Sequence, residues 1–365
     1  MGGRRRIRLL GALLLVFLCA ALGCADPVSS VCPDRLVLEV EGHTVRVPCC
    51  TNRPLYAANP GVERAVIVIH GMNRTAPSYH ARVVTAATTA GVVDRCIIIA
   101  PQFVVAEDIE AHGLDDDVLY WSQGGWKIGD RSRDAPGRWR PVRISSFVVV
   151  DHILRNLADA ERFPDLTRIV VSGHSAGGQF VNRYAAGNQA EPSLREGCSV
   201  RYVVANPSSY VYFNKERALA GTRDQFGVPK PGAVCACPIY NRYRYGLDHL
   251  NAYMAAAGPE QLRAQYAARN VYYLLGENDN DPKGAGLDTG CAARMQGAHR
   301  LERGLVYYNY LRHYFGEEVA QRHVLRTVPG VGHSSNGIFN SPQGLEALFD
   351  VGGRVLRRPH KSNGQ

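Results

Sequence analysis

Ser175 lies at the centre of the pentapeptide Gly173-His174-Ser175-Ala176-Gly177. The β-branched run 168–172 precedes this pentapeptide, and a helical pattern follows it as far as Ala186. A G-x-S-x-G motif between a strand and a helix is typical of a tight turn that presents the serine hydroxyl as a nucleophile. The alternative is a helix cap in a nucleotide-binding turn, but no G-x-G-x-x-G or G-K-[ST] motif accompanies it. We therefore predict that Ser175 is a nucleophile.

His333 is the histidine best placed to act as the general base for this serine. The base is expected after the nucleophile, on a loop that follows a later strand. His333 stands in the glycine-rich loop after the β-branched run 323–328. Of the competing histidines, His299 and His313 fall in a helical pattern, His323 begins a strand, and His360 lies in the C-terminal tail. His333 is therefore the predicted base.

A carboxylate that fixes the tautomer of the base completes such a set. The run 271–275 ends in the acidic segment Glu277-Asn278-Asp279-Asn280-Asp281. Asp279 is the predicted partner of His333, Asp281 on the same turn is its rival, and Glu277 is a third candidate. The resulting chain order of serine, carboxylate and histidine is one of those known for acyl-transfer triads.

Attack by Ser175 on a carbonyl group also requires donors for the negative charge that develops on the carbonyl oxygen. The backbone N–H of Ala176 directly follows the nucleophile, at the N-terminus of a helix, where negative charge is favoured. The apolar run 65–69 leads into the turn His70-Gly71-Met72-Asn73. The backbone N–H of Met72 is the predicted second donor.

These residues need a sheet that brings the ends of several strands to one edge. β-branched runs alternate with helical patterns over most of the chain, which indicates a parallel sheet with helices on both faces. The predicted strands are 35–40, 43–47, 65–70, 95–100, 168–172, 201–206, 271–275 and 323–328. The predicted helices are 79–90, 146–162, 176–186, 292–315 and a last helix that starts after Ser341.

Two long stretches without a clear strand, 101–143 and 207–270, interrupt this alternation. Both leave from the carboxyl ends of strands, which is the edge at which parallel sheets bind ligands. The first holds all three tryptophans of the chain, and the second is rich in tyrosine. We predict that Trp126 and Tyr210 line a substrate pocket and that 207–270 is a lid-like insertion. The alternative is that these aromatic side chains pack in the core.

The composition is that of a globular chain, since 45% of the 365 residues are hydrophobic and 21% are charged. This excludes collagen-like, coiled-coil and disordered classes. The formal net charge is +9, and four arginines at the extreme N-terminus supply part of it. The remaining chain is too weakly basic to indicate a nucleic-acid partner.

An export signal is predicted for residues 1–25, because an arginine-rich start is followed by the apolar run 9–18 and by small residues. Beyond it, no apolar stretch approaches the ~18 to 20 residues of a transmembrane segment. The mature protein is expected to be secreted or in the cell envelope, and Cys24 offers a lipid-anchor site as an alternative to plain secretion. The tail 357–365 is expected to be disordered.

Eight cysteines follow the predicted signal, and an even number favours disulfides in an exported chain. We expect most of them to be oxidised, with Cys32 joined to Cys49 or Cys50 and Cys237 joined to Cys291. The spacing of the cysteines lacks the two close pairs of a zinc site. We expect no metal and no other cofactor.

Taken together, four strand-end segments of the sequence resemble the α/β-hydrolase superfamily. The resemblance implies a mostly parallel, typically eight-stranded sheet with helices on both faces over 26–356, and it implies that the three predicted residues form a catalytic triad. The His-Gly-Gly-Gly run of some lipases and esterases is missing here. The four segments are His70-Gly71, the Ser175 pentapeptide, Gly276 to Asp279 and Gly332-His333.

The expected function is that of a secreted serine hydrolase that cleaves a small or polymeric carboxylic ester through an acyl-enzyme intermediate. An amidase or a peptidase would use the same residues, so both remain alternatives. A cell-surface binding protein without activity is the alternative from another class. The intact set of nucleophile, acid and base in the sequence argues against that last alternative.

Overall fold

A computed structural model describes residues 25–135 and 137–351 of the chain. Residues 1–24 of the predicted signal, Cys24 among them, and the predicted disordered tail 357–365 lie outside the described residues. Among the described helices, none is both long enough and apolar enough to cross a membrane.

In the described chain, the central sheet has eight strands in the order β1-β2-β4-β3-β5-β6-β9-β10. Strand β2 is antiparallel to β1 and β4, and the other neighbouring strands are parallel. The prediction of an eight-stranded, mostly parallel sheet is confirmed. The strands are β1 (Asp34–Val40), β2 (His43–Thr51), β3 (Arg64–Ile69), β4 (Cys96–Pro101), β5 (Arg168–His174), β6 (Ser199–Ala205), a short ribbon of β7 (Arg217–Ala218) and β8 (Phe226–Gly227), β9 (Asn270–Gly276) and β10 (His323–Val328).

Helices cover both faces of the sheet, which explains why β3, β4 and β5 are apolar along almost their whole length. The first, ninth and tenth helices share a core with one face, and the third, fourth, sixth and eighth share a larger core with the other. The helices are α1 (Ala76–Thr89), α2 (Ala106–His112), α3 (Ser146–Leu157), α4 (Ala176–Gly187), α5 (Pro231–Ala236), α6 (Ala252–Ala268), α7 (Cys291–Arg294), α8 (Arg300–Phe315), α9 (Ser335–Phe339) and α10 (Pro342–Phe349).

Two of the predicted helices are wrong in their extent. The helix predicted over 292–315 is divided into α7 and α8, with the break at Gly297, whose φ of 140° is accessible mainly to glycine. The side chain of His299 then caps α8. Helix α3 ends at Leu157 and not at 162, because the carboxylate of Asp159 accepts hydrogen bonds from two following amides. Such a turn competes with helix continuation.

The two long stretches contain elements that the sequence patterns did not predict. Helix α2 and a single turn at Trp126–Ile128 lie in 101–143, whereas the ribbon β7–β8, α5 and α6 lie in 207–270. The start of the second stretch, residues 210–213, is fully buried against the main core. That 207–270 acts as a lid stays a prediction.

Two disulfides join Cys32 to Cys50 and Cys237 to Cys291. Cys50 and not Cys49 is the partner of Cys32, because successive residues of β2 point to opposite faces of the sheet. Cys49 lies in the larger core, and Cys50 lies with Cys32 on the other face. The expectation that most cysteines are oxidised is wrong for the described chain, since Cys49, Cys96, Cys198 and Cys235 are unpaired.

Candidate active site

The turn between β5 and α4 holds Ser175 in a strained backbone conformation, with φ 61° and ψ −117°. Few residues other than glycine adopt a positive φ, so the surrounding structure must enforce it. A Cβ atom on Gly173 would lie 2.4 Å from the backbone of Gly177, and one on Gly177 would lie 2.2 Å from the carbonyl oxygen of Ile69. Both glycines are therefore required for the close approach of β3, β5 and α4 that holds this turn.

Three side chains from three strand ends meet at this turn. The Ser175 hydroxyl donates to Nε2 of His333 over 2.9 Å, and Nδ1 of His333 donates to Oδ2 of Asp279 over 2.7 Å. The bond to the carboxylate places the imidazole proton on Nδ1, so Nε2 has a lone pair for the serine proton. This arrangement is the one that proton transfer from a serine alcohol requires.

Neither rival carboxylate contacts His333. The exposed Asp281 accepts a hydrogen bond from the backbone N–H of Lys283 at 2.8 Å. Glu277 accepts from the hydroxyl of Thr327 at 2.8 Å. Of the three acidic candidates, Asp279 is therefore the one that the fold brings to the histidine.

Arg300, at the start of α8, is a neighbour of the site that the sequence did not reveal. Its Nη1 lies 3.3 Å from Oδ1 of Asp279, and both side chains are buried. Its Nη2 donates to the carbonyl oxygen of Ala285 at 2.7 Å. Burial lowers the pKa of Arg300, and Asp279 opposes that shift. Asp279 is thus held between a guanidinium and the imidazole of His333, and no local pattern marks an arginine for this task.

The turn after β3 brings the peptide between Gly71 and Met72 next to the serine. A Cβ atom on Gly71 would lie 3.9 Å from Cβ of Ser175. Among the described residues, the backbone N–H groups of Met72 and Ala176 have no hydrogen-bond acceptor. Both predicted donors therefore flank the serine with unused backbone N–H groups.

His70 fixes the orientation of that peptide. Its Nε2 accepts from the backbone N–H of Phe103 at 3.0 Å, so its proton is on Nδ1, which donates to the Gly71 carbonyl oxygen at 2.8 Å. Burial lowers the pKa of His70 to about 4, so the ring is neutral at physiological pH. Because the C=O and N–H of a trans peptide point in opposite directions, holding the Gly71 carbonyl directs the Met72 N–H away from His70.

A buried ion pair supports the same turn from the other side. Nε of Arg74 lies 2.8 Å from Oδ2 of Asp108, in α2. Nη1 of Arg74 donates to Gln123, whose amide donates in turn to the Met72 carbonyl oxygen at 3.4 Å. The insertion 101–143 thus supplies contacts that hold the Met72 turn, which sequence patterns did not predict.

His174 packs against the candidate base without sharing its charge. The two rings lie 4.6 Å apart between centroids. Burial, with a contribution from His333, lowers the pKa of His174 well below its ordinary value. A neutral His174 adds no positive charge beside His333 when that ring takes up a proton.

The structure does not bring Trp126 and Tyr210 to accessible surface, although both were predicted to contact substrate. The Trp126 ring is fully buried and packs on His70 at 4.5 Å between ring centroids. The Tyr210 ring is fully buried and stacks on Tyr307 at 4.3 Å. Core packing, the alternative interpretation, describes both, because large aromatic rings gain most from burial of their apolar surface.

The described residues contain no cluster of three or more side chains that would suit a metal ion. No protein-family model matches the chain. No curated protein matches it either.

Two solved structures resemble the chain over most of its length. Poly(aspartic acid) hydrolase-1 from Sphingomonas sp. KT-1 aligns with a TM-score of 0.54 and 22% identity over 88% of this chain and 99% of its own. A poly(3-hydroxybutyrate) depolymerase from Bordetella parapertussis aligns with a TM-score of 0.54 and 22% identity over 87% of this chain and 90% of its own. The fold is that of the α/β-hydrolases, as the sequence resemblance predicts.

Proposed function

We propose that the protein is a serine hydrolase that cleaves carboxylic esters through an acyl-enzyme intermediate. The observation that carries the proposal is the continuous chain of hydrogen bonds from Ser175 through His333 to Asp279, at 2.9 Å and 2.7 Å. The α/β-hydrolase fold supports it, because this fold commonly presents such residues at the carboxyl ends of its strands.

In the proposed reaction, Oγ of Ser175 forms a bond to the ester carbonyl carbon while Nε2 of His333 takes its proton. Asp279 stabilises the imidazolium that results. The carbonyl oxygen becomes an oxyanion, which accepts hydrogen bonds from the N–H groups of Met72 and Ala176. His333 then donates the proton to the departing alcohol. In the second half, water attacks the acyl group with His333 again as base, which regenerates Ser175.

Amide hydrolysis is the second candidate. One of the two similar structures is named for the hydrolysis of poly(aspartic acid), a polyamide, and the other for the depolymerisation of poly(3-hydroxybutyrate), a polyester. The same nucleophile, base and oxyanion donors serve both kinds of bond. A binding protein without activity remains the third candidate.

A covalent probe and a matched pair of substrates test the proposal. Wild-type protein should react with a fluorophosphonate probe and release nitrophenol from short 4-nitrophenyl esters. Ser175→Ala should lose the labelling and at least ~10³-fold of kcat, with an unchanged melting temperature. Faster turnover of a nitroanilide than of the matched ester would favour the amidase. If folded wild-type protein shows no labelling and no turnover, the binding protein is favoured.

We further propose that the chain is exported as one hydrolase domain, 26–356, after removal of residues 1–25. The two disulfides support an extracytoplasmic environment, because such bonds are rare in reducing compartments. Mass spectrometry of the mature N-terminus separates the alternatives. A free N-terminus near Asp26 indicates plain secretion, whereas a lipid-modified Cys24 indicates an anchor in the cell envelope.

A further inference from the structure

A basic cluster of four cationic side chains lies beside α4 and is composed of Lys127, Arg183, Arg244 and Arg303. Arg183 and Arg303 are fully buried, and Lys127 is 8% exposed. Arg244 is the most open member, with 31% of its side chain exposed. Direct contacts link three members, because Arg244 pairs with the Asp288 carboxylate at 3.4 Å and Arg303 donates to the Asp288 carbonyl oxygen at 2.9 Å. Arg183 donates to the Arg244 carbonyl oxygen at 2.9 Å, and Lys127 interacts electrostatically with Arg244, Arg183 and Asp288.

Most of the cluster has only neutral partners within the protein. Arg183 donates to the carbonyl oxygens of Gln179 at 2.8 Å and Arg244 at 2.9 Å. Arg303 donates to carbonyl oxygens, and its Nη2 is buried without any partner. In the described chain, the ammonium group of Lys127 has neither a hydrogen bond nor an ion pair. Among the described residues, the carboxylate of Asp288 forms an ion pair with Arg244 alone, at 3.4 Å.

Positive charge therefore exceeds negative charge in a largely buried region. Asp130 is the second carboxylate nearby, where it interacts with Arg244 and accepts a hydrogen bond from Asn251 at 3.2 Å. Burial, followed by Arg244 and Arg183, lowers the pKa of Lys127 to about 8. Burying cations without a countercharge costs free energy, and an added anion would lower that cost.

The basic cluster lies at the same edge of the sheet as the candidate active site. Gln179 and Arg183 are about one and two turns beyond Ser175 along α4. Arg183 also donates to the hydroxyl of Ser209, which follows β6, the strand paired with β5. On the other side, Trp126, the neighbour of Lys127, packs on His70 beneath the Met72 turn. The basic cluster therefore begins within about two helical turns of Ser175, and Lys127 and Arg244 are its two members with solvent-exposed surface.

We propose that the basic cluster binds a carboxylate of the substrate, so that this protein prefers esters that carry a negative charge a few bonds from the scissile carbonyl. The inference rests on the proposed hydrolase function for the position of the charge. Lys127 and Arg244 contact the carboxylate, whereas the fully buried Arg183 and Arg303 add long-range electrostatic attraction. The anion supplies the countercharge that the protein lacks, so Lys127 gains a charge-assisted hydrogen bond without losing an ion pair of its own.

Esters that differ only in charge test the proposal. The 4-nitrophenyl monoester of adipic acid carries the carboxylate on the acyl side, and neutral 4-nitrophenyl heptanoate matches its length. In a second pair, 4-carboxyphenyl hexanoate carries the carboxylate on the alcohol side and phenyl hexanoate is neutral. Wild-type protein should show a higher kcat/KM for the acidic member of one pair. The pair that shows this preference identifies whether the cluster binds a carboxylate on the acyl side or on the alcohol side of the ester.

Lys127→Gln removes the positive charge of Lys127 with little change in volume. It should lower kcat/KM for the acidic ester by about 10-fold, mainly through KM, and leave the neutral ester nearly unchanged. Lys230→Gln is the matched control, because Lys230 is an exposed lysine outside the basic cluster. It should leave the ratio of acidic to neutral turnover as in the wild type. An equal loss for both esters in Lys127→Gln, or no preference in the wild type, overturns the proposal.

A binding measurement separates this inference from the proposed function. Ser175→Ala protein, which cannot form an acyl-enzyme, should bind adipate in calorimetric titration, and addition of Lys127→Gln should weaken that binding by about 10-fold. If the wild type hydrolyses no ester but this difference is found, the hydrolase proposal fails and the anion site stands. If adipate binds neither protein, or both equally, the anion site fails whatever the activity.

Discussion

At Ser175, backbone strain and hydrogen bonding act on the same side chain. Ser175 adopts a positive φ of 61° in a turn that two glycines make sterically feasible. The hydroxyl of Ser175, which this turn presents, already donates a hydrogen bond to His333. The reactive geometry is thus present before any substrate binds. Such preorganisation means that little reorganisation energy is spent during the reaction.

Asp279→Asn and Asp281→Asn are a matched pair, because the side chain of Asp279 contacts His333 and that of Asp281 does not. Asp279→Asn should lower kcat by roughly 10³- to 10⁴-fold, because an amide at this position favours the wrong tautomer of His333. Asp281→Asn should change kcat/KM less than about 3-fold, since Asp281 is exposed and bonds only to a neighbouring amide among the described residues. Steady-state kinetics on one ester checks both. The reverse ranking would assign the role to Asp281.

Arg300→Met should lower kcat by roughly 10-fold, because Asp279 loses the guanidinium that lies 3.3 Å from its Oδ1. Asp279 is then fixed less firmly, so the imidazole of His333 is oriented less well for taking the proton of Ser175.

Arg300→Lys is the control, because it keeps the positive charge beside Asp279 and should restore most of the wild-type kcat. Steady-state kinetics of all three proteins on one ester is the measurement. A loss of melting temperature with an unchanged kcat in Arg300→Met would mean that Arg300 is purely structural.

At the scale of elements, the loop after β3 depends on segments from elsewhere in the chain. His70 is held by the backbone of Phe103 and by the ring of Trp126, and it holds the Gly71 carbonyl. Arg74 and Gln123 hold the following peptide. The insertion 101–143 therefore acts as a support for the proposed oxyanion donor at Met72.

His70→Phe keeps a ring of similar size against Trp126 but removes the hydrogen bond to Gly71. We expect kcat to fall by roughly 10- to 100-fold with little change in KM, since a misdirected Met72 N–H weakens stabilisation of the transition state. The pair of kinetic constants for one ester is the readout. Phe103→Leu, which perturbs the same packing but keeps every backbone bond, is the control. Equal losses of kcat in the two variants would contradict a positioning role for His70.

At the scale of the whole molecule, the two disulfides close loops of different length, with sequence separations of 18 and 54. The first ties the N-terminal segment to β2, and the second ties α5 in the long insertion to α7. Chain-entropy arguments assign about 3 kcal/mol to the shorter loop and about 4 kcal/mol to the longer one. The longer link should therefore stabilise the fold more.

Replacing Cys237 and Cys291 by serine should lower the melting temperature more than replacing Cys32 and Cys50. Calorimetry of the two double variants gives the comparison, and an equal or reversed order would contradict the loop-length argument.

Alkylation of the native protein provides an independent check on the pairing. Cys235 should be labelled first because it is exposed, and Cys49 should require unfolding because burial raises its pKa to about 12.

The sequence by itself determined the features that depend on neighbouring residues. β-branched runs and the glycines around Ser175 act through local sterics, so the eight strands of the sheet and the Ser175 turn could be predicted. The alternation of side chains along β2 could also have selected Cys50 over Cys49. Helix ends were less predictable, because the turn at Asp159 and the break at Gly297 compete with helix propensity.

Only the tertiary structure decided which distant side chains meet. The pattern favoured Asp279 but left Asp281 on the same turn as a rival, and the approach of β9 to β10 brings Asp279 to His333. Arg300 and the basic cluster are arginines and a lysine in a chain with 42 cationic residues, so no spacing marks them. Trp126 and Tyr210 had a pattern that suited either a pocket or a core. The physical reason is that electrostatic pairing and burial depend on three-dimensional neighbours, which residues far apart in the chain supply.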